Sequence, residues 1–134
     1  MPFVLDISVV AGWYLPDQAT AYTQSIAKRM ETDRAIAPAL WRLEFANVLK
    51  TACTRGKLSL ENAREIVLAI AALPIELDSG LAPGPRQLLN LAVRYRLSSY
   101  DAAYLELAMR HGIPISCQDA KLKEASLQAH VVVL

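Results

Sequence analysis

Five apolar runs of strand length punctuate this chain: PFVLD at 2–6, RAIA at 34–37, PIELD at 74–78, IPISC at 113–117 and VVVL at 131–134. Each is too short to be a helix, and segments of helix length separate most of them. FVL and VVVL lack polar alternation, as expected of parallel strands covered on both faces. Parallel neighbours need crossover connections, and helices supply them. The pattern predicts an α/β fold with a mainly parallel sheet. At 134 residues, 54% of them apolar, one domain with its own core is expected.

The helical segments have readable ends. A short helix from Ser8 to Leu15 is stopped by Pro16, and Asp17 caps a second from about Gln18 to Thr32. PALWRLEFANVLKTACTRG at 38–56 carries Pro38 in its first turn and Gly56 at its end. Ser59 caps a helix to about Ala72. Pro83, Gly84 and Pro85 mark a loop that opens a helix over 86–96. Ser98 or Ser99 starts another, ended by Gly112, and AKLKEASLQ at 120–128 is the last. There is no internal repeat.

Composition narrows the function classes. The formal charge of +1 does not announce a nucleic-acid partner by itself. Cys53 and Cys117 have no metal-ligand spacing, and two free thiols in a reducing compartment are expected rather than a disulfide framework. The start lacks a basic leader, and the apolar run at 66–75 is too short to cross a bilayer. A soluble cytoplasmic protein with no membrane partner is the expectation.

The acids carry the functional signal. Asp6 ends the first strand, where the chain leaves the sheet, and Asp119 lies two residues beyond the fourth. In open parallel sheets, ligands bind outside the carboxyl ends of strands where strand order reverses. Glu44 interrupts an apolar helix surface between Leu43 and Phe45, and Asp101 lies in the first turn of the helix leading to strand four. Each has a structural reading. Asp119 suits a helix N-cap, Asp101 completes a Ser-x-x-Asp capping pattern with Ser98, Glu44 can reach solvent or pair with Arg42 or Lys50, and Asp6 can turn back to cap the helix near Ser8. If the four converge, their repulsion demands compensation. An all-oxygen donor set suits Mg²⁺ or Mn²⁺ rather than zinc.

These stretches resemble a PIN domain, and most closely the VapC ribonuclease toxins of prokaryotic toxin–antitoxin pairs. The resemblance rests on VLDISVV at 4–10, LWRLEFANVL at 40–49, LSSYDAAYLELAMRHGIPI at 97–115 and SCQDAKLKEA at 116–125. It covers nearly the whole chain. It implies a three-layer sandwich whose central parallel sheet is ordered 3-2-1-4-5, which would seat strand one beside strand four. It implies an acidic catalytic and metal site at Asp6, Glu44, Asp101 and Asp119, with Ser8 holding a carboxylate or a water, and Asn47 as a supporting or substrate contact. One departure is Cys117, where the family often has Thr or Ser.

The resemblance implies a Mg²⁺- or Mn²⁺-dependent endoribonuclease that leaves a 5′-phosphate and a 3′-hydroxyl. It also implies a homodimer and a VapB-like antitoxin whose peptide covers the acids, with DNA bound only through that antitoxin. Setting the four acids aside leaves nine acidic residues against 14 basic ones. Arg42, Lys50, Arg55, Lys57, Arg86, Arg94 and Arg96 can rim a groove for a phosphate backbone. Trp13, Tyr14, Tyr22 and Trp41 are either a docking surface, a dimer contact or core. Two rival readings are a PIN fold that has lost catalysis and acts through a protein partner, and a phosphotransfer domain with a nucleophilic Asp6. The second is weakened because Asp6-Ile7-Ser8 lacks the second acid of the phosphatase Asp-x-Asp.

Overall fold

The computed structural model describes residues 1–79 and 83–134. Its strands are short: β1 (Phe3–Leu5), β2 (Ala35–Ala37), β3 (Ile75–Leu77) and β4 (Ile115–Ser116). All pair in parallel, in the order β3-β2-β1-β4. Val4 is opposite Ile36 on one side and Ile115 on the other. β1, β2 and β4 are fully buried, as their unbroken apolar sequence requires, while β3 at the edge alternates.

Around the sheet run α1 (Ile7–Tyr14), α2 (Ala21–Arg29), α3 (Trp41–Thr54), α4 (Leu60–Ala71), α5 (Pro85–Tyr95), α6 (Ser99–His111) and α7 (Ala120–Gln128). The result is a central parallel sheet flanked by helices. Phe3, Leu5, Tyr104, Leu105, Leu107, Ile115 and Leu122 are the largest wholly buried side chains, so the centre of the core lies between β1, β4, α6 and α7. Trp13, Tyr14 and Tyr22 pack half-buried against that core, and Trp41 belongs to it.

Three expectations need correction. The fifth strand is a single parallel bridge between Ile115 and Val133, flanked by hydrogen bonds from Ile115 to Val132 and from Leu134 to Ile115. VVVL therefore lies beside β4 as predicted, but among the described residues the ordered sheet is four-stranded and that single bridge stands for the fifth strand. The second helix does not start at Gln18. Pro16–Gln18 forms a 3-10 turn, and Thr20 caps α2 through a reciprocal capping box with Thr23. Asp17 instead pairs with Lys57. Pro38 sits in the turn before α3, whose first residue is Trp41.

Other termini follow the sequence chemistry. Ser59 and Ser98 accept from the amides of Asn62 and Asp101. Gly56 and Gly112 take left-handed backbone at the ends of α3 and α6. Both cysteines are free thiols. No helix among the described residues is long and apolar enough to cross a membrane.

Candidate active site

Parallel pairing of β1 with β4 sets the carboxyl ends of these strands side by side. The Asp6 amide donates to the Ser116 carbonyl at 3.1 Å, and the Gln118 amide donates to Ser8 Oγ at 3.0 Å. β1 has β2 on one flank and β4 on the other, so strand order reverses here, the place where such sheets bind ligands.

Asp6 is buried, with 4% of its surface exposed. Its Oδ2 accepts from Ser8 Oγ at 2.5 Å and from the Ser8 amide at 3.3 Å, which makes it the N-cap of α1. The capping reading of Asp6 thus holds, and among the described residues no donor reaches its Oδ1. Burial pushes the carboxyl up to about 6; the Ser8 hydroxyl pulls it back, and the charges of Asp101 and Glu44 push it further up.

Glu44 projects half-buried from the first turn of α3. It pairs with neither Arg42 nor Lys50: Tyr104 Oη, on α6, donates to its Oε1 at 2.6 Å. Desolvation raises its pKa, Tyr104 lowers it and the charge of Asp101 raises it. Asp101, half-buried in the first turn of α6, is raised by desolvation and then by Asp119, while Ser98 and Lys121 lower it. Asp119 caps α7, accepting from the amides of Lys121 at 2.8 Å and Leu122 at 3.4 Å. Asp101 is thus the hub: its charge acts on Asp6 and Glu44, and the charge of Asp119 acts on it.

None of the four acids forms an ion pair with Lys or Arg among the described residues. Nor do three Asp, Glu, His or Cys side chains there stand together in a ligating arrangement. The four share a neighbourhood of negative charge rather than a ready-made cage. An oxygen-only donor set, carboxyls of Asp6, Glu44 and Asp101 raised first by burial and then by neighbouring negative charge, and the lack of an ion-paired base all fit a hard divalent cation.

Asn47 is exposed one helical turn beyond Glu44. It lines a cleft of about 160 Å³ with Gln18, Thr51, Arg55 and Lys57, outside the electrostatic group of the acids. Cys117 is wholly buried, and desolvation followed by the charge of Asp6 pushes its thiol up to about 12, so it stays neutral. Ser116 points away from the acids and donates to the Val4 carbonyl at 3.0 Å.

Two residues that sequence reasoning passed over belong to this neighbourhood. Tyr104 reads as core on its helix face, and only its distance of three positions from Asp101 hints at a shared side. Its hydroxyl is raised by burial and by Glu44, so it remains a donor. Gln118 ties the β4 end to α1 and the 3-10 turn through the Ser8 carbonyl at 3.1 Å and the Gln18 carbonyl at 3.4 Å. No local pattern marks that role.

The PIN domain family model matches residues 3–126. The chain belongs to the PIN domain family. PIN domains are typically nucleases. Among solved structures, the chain is similar to PAE2754 from Pyrobaculum aerophilum, with a TM-score of 0.73 at 18% identity, covering 93% of this chain and 84% of that one. It is also similar to FitAcB from Neisseria gonorrhoeae, with a TM-score of 0.52 at 16% identity, covering 100% and 96%. Both likenesses speak for the PIN fold alone. No curated protein sequence matches the chain significantly.

Proposed function

We propose that this PIN domain is a VapC-type toxin, a Mg²⁺- or Mn²⁺-dependent endoribonuclease neutralised by a cognate antitoxin. The observation that carries the reading is the electrostatic convergence of Asp6, Glu44, Asp101 and Asp119 at the β1–β4 strand ends with no ion-paired base among them. Asp6 and Asp101 would hold the cation directly, and Glu44 and Asp119 would do so directly or through water. A bound divalent cation supplies the charge that lowers the pKa of an attacking water and steadies the leaving oxygen.

The chain's own residues do the positioning. Ser8 fixes one oxygen of Asp6 and leaves the other free, and the Gln118 amide fixes Ser8. Tyr104 orients Glu44, and its hydrogen bond opposes the rise that desolvation imposes on the Glu44 pKa. In-line attack leaves a 5′-phosphate and a 3′-hydroxyl. Asn47 and the bases beside it line an approach for substrate. The protein works as a cytoplasmic homodimer, and an antitoxin peptide lies over the acids, where an arginine side chain satisfies them in place of the cation.

Expression of wild type and Asp6→Ala in bacteria tests this. Growth arrest with RNA fragments mapped to discrete sites is expected for the wild type alone. Equal growth of both, with intact RNA, would instead leave a PIN fold that acts only through a protein partner.

A further inference from the structure

The end of α5 and one side of α7 border a cavity of about 570 Å³ lined by Arg94, Tyr95, Arg96, Lys121, Glu124 and Gln128. Three cations face one carboxylate there, and none of the three forms an ion pair among the described residues. Arg94 stands 5.4 Å from the centroid of the half-buried Tyr95 ring, so a guanidinium and an aromatic surface are already assembled. Arg96 holds left-handed backbone at φ 57° and ψ 44°, a place where a helix end ordinarily takes glycine. Arginine near a helix C-terminus suits the dipole.

Lys121 lines this cavity and also touches the acid site. The Lys121 amide donates to Asp119 Oδ1, and the Lys121 charge reaches Asp101.

We propose that this cleft holds the single-stranded RNA flank of the cleaved phosphodiester, with a backbone phosphate on Arg96 and Lys121 and a base stacked on the Arg94–Tyr95 pair. This rests on the nuclease reading above. Single-strand binding sites combine a basic track with stacking platforms, and paired RNA does not offer its base faces. Glu124 is the one opposing charge and limits affinity.

The test uses the full chain carrying Asp6→Asn, with Mg²⁺ present, and measures fluorescence anisotropy of a labelled single-stranded RNA of mixed sequence and of its duplex. Arg96→Gly removes the side chain and relieves the backbone, so folding is retained. It is expected to weaken single-strand binding roughly 5- to 10-fold and to flatten the dependence of log K on log salt by about 0.7. Tyr95→Leu weakens single-strand but not duplex binding, Glu124→Gln tightens binding, and Lys28→Ala on α2 leaves it unchanged. Unchanged affinity in Arg96→Gly and Tyr95→Leu overturns the proposal. So does an equal loss in Lys28→Ala. Arg96-dependent binding of poly-glutamate without any effect on RNA also overturns it and gives the cleft to an acidic polypeptide. Cleavage of the same RNA by the chain with Asp6 restored reports separately on the nuclease reading.

Discussion

Tyr104 Oη donates a 2.6 Å hydrogen bond to Glu44 Oε1, tying α6 to α3 across 60 positions of sequence. The donor lies on a wholly buried ring and the acceptor at the rim of the acid site, so the bond fixes where Glu44 points. Tyr104→Phe is expected to cost about 1.5–3 kcal/mol of stability, the usual range for a hydrogen bond to a charged group. Urea denaturation measures it. The lost donor also lets the pKa of Glu44 rise, so the acid limb of the cleavage pH profile moves to higher pH. A purely structural role for Tyr104 would leave that limb in place.

Asp6 makes stability depend on pH. Its folded-state pKa of about 6 lies above the ordinary 3.8. Between those values the folded protein keeps a proton that the unfolded chain has lost. Without metal, the Asp6 contribution is therefore fully present below pH 4 and is lost as pH rises through 6. At neutral pH the ionised carboxylate costs on the order of 3 kcal/mol. Asn keeps the helix cap and removes the charge. Asp6→Asn is expected to melt above the wild type at pH 8 in chelator, with the gap closing at pH 4, by calorimetry.

Much of this was legible in the chain because it is local. Unalternating FVL announced a strand buried on both faces, and Ser59, Ser98 and Asp119 announced helix starts. The site acids stood out because apolar surroundings make a carboxylate costly at Asp6 and Glu44. The rest depended on partners distant in sequence. Nothing near Tyr104 names Glu44, and nothing near Gln118 names Ser8. The α2 boundary was misplaced because Asp17 looks like a cap but is drawn to Lys57, leaving Thr20 to cap the helix. The last strand shrank to one bridge because β pairing depends on register, which VVVL does not specify by itself.

Gly12 tests the packing of α1 on α2. A Cβ there would lie 2.4 Å from Thr23 Cγ2, 2.8 Å from Thr23 Cβ and 2.9 Å from the Gln18 carbonyl. Thr23 is wholly buried, so it has nowhere to move. Gly12→Ala is expected to lose about 1–3 kcal/mol in denaturant unfolding, with cleavage per folded molecule unchanged.

Trp41 stacks on Phe45 with centroids 5.0 Å apart, yet its buried indole N–H has no acceptor among the described residues. Removing an unpaired donor offsets the small volume lost. Trp41→Phe is expected to fall within about 1 kcal/mol of wild type, whereas Trp41→Ala loses about 3–5 kcal/mol. Thermal melts of the two variants side by side check this.

Calorimetric titration of Mn²⁺ into the chelator-stripped protein tests most directly whether the four acids form one cation site. A single shared site requires saturable binding to the wild type, weakened about 10-fold or more in both Asp6→Asn and Asp101→Asn, the buried acid and the hub. Binding of equal strength in all three proteins, or no saturable binding to the wild type, would contradict it.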